Sequence, residues 1–263
     1  MNTHFTKLFV AIIYTVVALL NSSCTTSYYL PQTQNIVPFD EKNDLHISLN
    51  GSLFNEQLGA GISYAITDNI GVSSSFMRFN TSNYGNDDKF LKDYIITNEY
   101  ILYKKWENKF YTALNTGYSY ADFNVGNPYY KINMHRFSTQ PSVSYFAYKG
   151  IGLGLSSRFS YLNYNVNMLQ NSTYNDYDRL MFHNYFFTRE ISMRNWLVIE
   201  PAATLLIHTE FVNLDIQCSI IPDLLNKGAN FVSPINFSMT WSFNIGKFLL
   251  FPHDKSGKLR WSL

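Results

Sequence analysis

The chain has 263 residues, of which 15% are charged and 17% aromatic, and its formal net charge is +1. An average soluble domain carries about 25% charged residues, so this composition is at odds with an ordinary water-exposed globule. The balanced charge offers no basic field for nucleic acid and no acidic one for a cationic partner.

Lys7 precedes an apolar run from Leu8 to Leu20. That length suits the core of a signal peptide and falls short of the roughly 20 residues a spanning helix needs. Ser22 and Ser23 stand before Cys24 and resemble the lipobox of bacterial lipoproteins, with Asn21 where Leu is usual and Leu20 one place earlier. The expectation is a signal peptide over 1–23, acylation of Cys24 and a lipidated leader over 24–43. The alternative is an ordinary signal peptide cut nearby, with Cys24 a spectator. Cys218 lies in VNLDIQCSII, facing the same way as Val212, Leu214 and Ile216, so no bridge to Cys24 is expected. In the leader, Pro31 and Pro38 oppose helix, while Tyr28, Tyr29, Ile36 and Phe39 give it apolar surface to dock. It can be a plug in a lumen, an arm for a partner, or a spacer, the last being the default.

From residue 44 onward the period is two, the signature of strands with two different faces. DLHISLNGSL alternates Leu45, Ile47, Leu49 and Leu53 with His46, Ser48, Asn50 and Ser52. QLGAGISYAI sets Leu58, Ile62, Tyr64 and Ile66 against Gln57, Gly59, Gly61 and Ser63, and the glycines of GAGIS are read as packing space. PINFSMTWSFNI sets Ile235, Phe237, Met239, Trp241, Phe243 and Ile245 against Asn236, Ser238, Thr240, Ser242 and Asn244. A soluble sandwich or barrel and a membrane barrel share this pattern. The second face, mostly Gly, Ser, Asn and Thr, suits a crowded lumen better than a solvated exterior, and favours an antiparallel up-and-down transmembrane β-barrel over 44–263. A soluble periplasmic barrel or sandwich is the rival. Within a lumen the few charges need partners, which makes Glu99, Arg158 and Glu200 candidates for internal ion pairs.

Strands are predicted over 44–53, 57–66, 70–79, 90–104, 109–122, 134–148, 151–166, 179–190, 195–208, 210–221 and 234–245. Eleven is odd, and bacterial single-chain barrels are even-numbered. Either KLRWSL at the C-terminus adds a twelfth or one of the irregular segments, 90–104 or 179–190, drops out, so the expectation is 10 to 12 strands. Short turns at 67–69, 107–108, 149–150 and 193–195 alternate with longer polar stretches at 80–89, 123–133 and 167–178. Tyr118, Tyr120, Phe159 and Tyr161 fall where an interfacial girdle would sit.

The segment YYLPQTQNIVPFDEK, the hairpin ending in YAITDNIGV and the Glu-Pro strand LVIEPAATLLI together resemble a family of outer-membrane β-barrel lipoproteins from Bacteroidetes. The resemblance covers about Cys24 to Ile245 and implies a lipid-anchored barrel in the outer membrane with no assigned reaction. TTSYYL has no acidic residue after Cys24, which by the habit of surface lipoproteins in that phylum favours a leader on the periplasmic side.

No metal or cofactor is expected, since the six His are scattered and no Walker loop, G-x-S-x-G elbow or dinucleotide fingerprint is present. His46 and Ser48 share a strand face, a spacing similar to that in membrane-barrel lipid A deacylases, but no acid partner can be assigned; polar filling of the lumen is the plainer reading. The leading role is structural or binding, with outer-membrane lipid around the barrel and another envelope protein met by the long loops or the leader. Narrow-pore transport and lipid-modifying catalysis are the alternatives.

Overall fold

The computed structural model describes residues 32–34, 36, 39–52, 57–79, 93–106, 109–125, 130–148, 150–168, 195–209, 212–220 and 235–245. Ten strands run β1 (Leu45–Ser52), β2 (Gln57–Thr67), β3 (Ile70–Phe79), β4 (Asp93–Trp106), β5 (Phe110–Val125), β6 (Tyr130–Tyr148), β7 (Ile151–Met168), β8 (Asn195–His208), β9 (Val212–Ile220) and β10 (Ile235–Asn244). Each pairs antiparallel with its neighbours in sequence, and β1 closes on β10 from His46 opposite Asn244 to Ser52 opposite Ser238. Closure leaves no free edge.

The alternation assigns the two faces as the sequence suggests. Leu49, Leu58 and Ile62 are exposed on the outside, while His46, Gln57 and Ser63 are buried inside. On β10 Trp241 and Phe243 face out, and Asn236, Ser238 and Ser242 face in. Leu153, the most exposed large apolar side chain among the described residues at 67%, is flanked along β7 by inward Gly152 and Gly154. A closed barrel with an oily exterior and satisfied backbone is the β-form that a bilayer accepts. Tyr118, Phe137 and Tyr161 are neighbours in register and form an outward aromatic cluster near the middle of β5, β6 and β7, not at their ends where a girdle was expected. Tyr64, Trp106, Phe110 and Tyr145 form an outward aromatic band toward the ends where β2, β4 and β6 finish and β5 begins. Lys104 stands with Nζ 4.0 Å from the Trp106 ring centre, an arrangement suited to the interface.

Connections differ at the two rims. At one rim β2–β3, β4–β5, β6–β7 and β8–β9 join across residues 68–69, 107–109, 149–150 and 209–211. Gly150 has φ +77°, the left-handed conformation that suits glycine in so tight a turn. The other rim carries connections 80–92, 169–194 and 221–234. The stretch 123–133 shrinks to a connection over 126–129, because strands β5 and β6 extend to Val125 and from Tyr130. The expected short turn at 193–195 does not lie on the short-turn rim: β8 starts at Asn195, opposite Asn163 near the far end of β7.

The irregular segment 90–104 is a strand after all, displaced to 93–106. Residues 179–190 and KLRWSL lie outside the described residues. β7 pairs directly with β8 from Ile151 opposite Ile207 to Asn163 opposite Asn195, so the ring closes at ten with no place for an eleventh strand between them.

The interior is layered, and in one layer it departs from the mostly small and polar lining expected. Ser, Thr, Asn and Gln dominate the middle, but toward the long-connection rim Met77, Ile95, Phe123, Ile132 and Leu162 point inward and are buried.

Candidate functional site in the barrel lumen

Eight-stranded barrels are just wide enough to be filled by side chains, and ten strands leave additional space. Here the space holds part of the leader. Gln32, Gln34, Ile36 and Phe39 are all buried, Phe39 completely, so the docked alternative replaces the default spacer.

At the short-turn rim, the chain turns from the lumen into β1. Asn43 adopts φ 71°, a left-handed conformation that asparagine tolerates well. Its N–H donates to the Ala65 carbonyl (2.9 Å), and Ala65 N–H returns a bond to the Asp44 carbonyl (2.9 Å). The Asp44 carboxylate accepts the N–H groups of Asp40 (2.7 Å) and Glu41 (3.2 Å) and the Asn244 amide (3.3 Å). Buried Asp44 thus ties the turn to the seam of the barrel.

Just inside, Phe39 fills an apolar socket with Ala65, Ile101 and Tyr103. Its ring centre lies 5.2 Å from that of Tyr103 and 5.4 Å from that of His46. Between Ala65 and Ile101 on the same wall is Gly71, where an added Cβ would sit 2.5 Å from Phe39 Cε2. Glycine is there because the ring takes the volume. Ile36 meets Gly154 in the same manner at longer distance, 3.3 Å from an added Cβ to Ile36 Cδ1.

Further in, contact becomes polar. Gln34 N–H donates to Gln217 Oε1 (2.8 Å), and Gln217 Nε2 donates to the Gln34 carbonyl (3.2 Å). Gln34 Nε2 donates to the Glu200 carbonyl (2.6 Å), while Ser156 Oγ donates to Gln34 Oε1 (2.6 Å). Gln32 Oε1 accepts bonds from Arg136 and from Thr97 Oγ1 (3.0 Å). Arg158 donates to the carbonyls of Gln32 and Thr33, 3.2 Å each, to Gln140 Oε1 (3.2 Å) and to Glu200 Oε2 (3.3 Å). Leader oxygens therefore sit on both buried guanidinium groups, where a bare lumen would offer water. Bonds to charged groups are the stronger kind, about 1.5–3 kcal/mol each.

The expected lumen residues are all found inside. Of the three candidates for internal ion pairs, Arg158 and Glu200 pair with each other, 2% and 0% exposed, and occupy directly opposed positions on β7 and β8. Glu99 accepts a bond from Ser73 Oγ (3.2 Å) and faces, with Ser48, a cavity of about 40 Å³ between the leader and the wall. That is room for a few water molecules. Ser48 is thus set on the cavity and His46 beneath the Phe39 ring. Cys218 is a free cysteine, in the outward register expected of it; Cys24 lies outside the described residues. No cluster of metal-ligating side chains occurs among the described residues.

Sequence reading missed Arg136, Gln32, Gln34 and Asp44. The first had a visible signal, since Met134, Arg136 and Ser138 alternate with His135 and Phe137. Gln32 and Gln34 show only a two-residue spacing, and their partners lie far away along the chain.

No known family matches the sequence, and no curated protein does. Among solved structures, the chain is similar to an outer membrane channel from Pseudomonas putida F1, with 10% identity, TM-score 0.43 and coverage of 80% of this chain and 98% of that one. It is similar also to the NanC porin (8%, TM-score 0.35, covering 76% and 98%) and to the N-terminal β-barrel domain of Pseudomonas aeruginosa OprF (9%, TM-score 0.28, covering 78% and 98%). At such identities and scores, none of these bears on what this chain binds or conducts.

Proposed function

We propose that this protein is an outer-membrane β-barrel held shut by its own N-terminal leader, with a structural or binding role in the cell envelope. The observation that carries this reading is the seating of Gln32 and Gln34 across the middle of the lumen, bonded to β4, β6, β8 and β9 at once. A lumen closed in this way passes no solute, which leaves the long connections 80–92, 169–194 and 221–234 as the surface for another envelope component. Lipid anchorage through Cys24 belongs to the same reading and rests on the sequence around that residue.

A second reading, a narrow pore, is favoured by one specific feature. The wall around the leader is polar, with Ser119, Gln140, Ser160 and Ser219 buried in it, and would wet if the leader withdrew. Conductance in planar bilayers separates the two. The intact protein is expected to be electrically silent and a variant lacking residues 25–38 to show discrete current steps. Steady open-channel current from the intact protein contradicts the closed-barrel reading.

A further inference from the structure

The described part of the leader has a direction. Phe39 packs beside Ala65, Gly71 and Tyr103, all within a few residues of the short-turn ends of their strands. Ile36 lies at Gly154, and Gln34 at Ser156 and Gln217, farther along β7 and β9. Gln32 reaches Thr97 on β4 and Arg136 on β6, well into the half that carries the long connections. Through Phe39, Ile36, Gln34 and Gln32 the contacts move away from the rim where β1 begins.

We infer that the leader threads the whole barrel and that Cys24 and its neighbours emerge on the long-connection side, which in outer-membrane barrels is the cell surface. Two further observations support this direction. Eight residues, Cys24 to Pro31, precede Gln32, and at full extension they reach at most about 28 Å. Returning from the level of Thr97 to the short-turn rim at Trp106 would take about 23 Å along a tilted strand, most of that reach, alongside Gln34, Ile36 and Phe39, which are already buried in the lumen. A second strand there would have to displace the bonds that Gln32 and Gln34 make to Thr97, Arg136, Ser156 and Gln217. The way out past Asp93 is about 10 Å and open to the available length.

Chemistry favours the same exit. Above Gln32 the lumen is lined by Met77, Ile95, Ile132 and Leu162, and the residues that would pass this apolar collar are Tyr28, Tyr29 and Leu30. The periplasmic placement expected from the absence of acidic residues after Cys24 is the opposite of this proposal.

The test is thiol labelling of whole cells with a membrane-impermeant maleimide, using Thr26→Cys in a Cys218→Ser background. Asn83→Cys serves as the surface control and Asn69→Cys as the periplasmic control, and the Cys218→Ser parent supplies the background from Cys24. Heat-dependent gel mobility confirms a folded barrel in each variant. The expected result is labelling of Thr26→Cys in intact cells at the level of Asn83→Cys and at least tenfold above Asn69→Cys. Labelling only after the outer membrane is permeabilised overturns the proposal, as does no labelling under either condition. The readout is independent of current, so it stands or falls separately from the closed-barrel function.

Discussion

The leader is held by two regions of unlike chemistry, an apolar socket around Phe39 near the short-turn rim and a polar network around Gln32 and Gln34 in mid-lumen. The socket gains from removing a large ring from water and has little directional demand. The network gains less per contact but accepts one register, because sliding the chain by a residue would turn both glutamine side chains away from their partners. Strength and register are thus supplied by different stretches of a short segment. The layering follows from what each has to face: glycine and alanine where a ring must fit, hydroxyls and amides where backbone must be satisfied.

Separating the two regions by mutation gives effects of different size. Phe39→Ala empties the socket and is expected to weaken docking of the leader by about 3–5 kcal/mol. Limited proteolysis of the purified barrel should then cut the leader that is protected in the parent, and unchanged protection would show that the network alone suffices. Gln34→Ala leaves the Glu200 carbonyl and Ser156 Oγ without their leader partner, while Gln217 keeps its two bonds to the backbone of residue 34, and should cost about 1–3 kcal/mol. Its sharper signature is current, since a leader free to slip register should give brief flickering openings without loss of the folded barrel. Lys105→Ala removes a partly exposed ion pair to Asp40 at 3.2 Å and should cost less than about 1 kcal/mol, with protease protection close to that of the parent. A larger loss there would mean that the rim, rather than the socket, holds the segment.

What the sequence made legible follows from how far each signal reaches. Strand alternation is local, so Ile47 and Leu49 on one face and Trp241 and Phe243 on another strand could be placed outward, and the glycines of GAGIS read correctly as space. The Arg158–Glu200 pair could be anticipated because both are isolated charges on the inward face, and cross-strand neighbours meet without further folding information. Seating of the leader was not legible, because its partners are remote: Gln34 bonds to Gln217 across 183 residues. Nothing in an alternating pattern distinguishes a lumen emptied by small residues from one emptied to admit another segment. The strand count could be bounded at 10 to 12 because 179–190 alternates weakly, and only the direct pairing of β7 with β8 fixes the ring at ten.

Oxidative crosslinking most directly tests whether the leader occupies the lumen. Ile36→Cys with Gly154→Cys, in a Cys218→Ser background, joins the leader to the wall where an added Cβ at 154 lies 3.5 Å from Ile36 Cγ2, within reach of disulfide geometry. Ser144→Cys with Gly154→Cys, opposed in the β6–β7 register, provides a control within the barrel wall. The account predicts that both pairs close in the folded protein and resist maleimide until reduced. A control pair that closes while the Ile36→Cys and Gly154→Cys thiols remain free would contradict it.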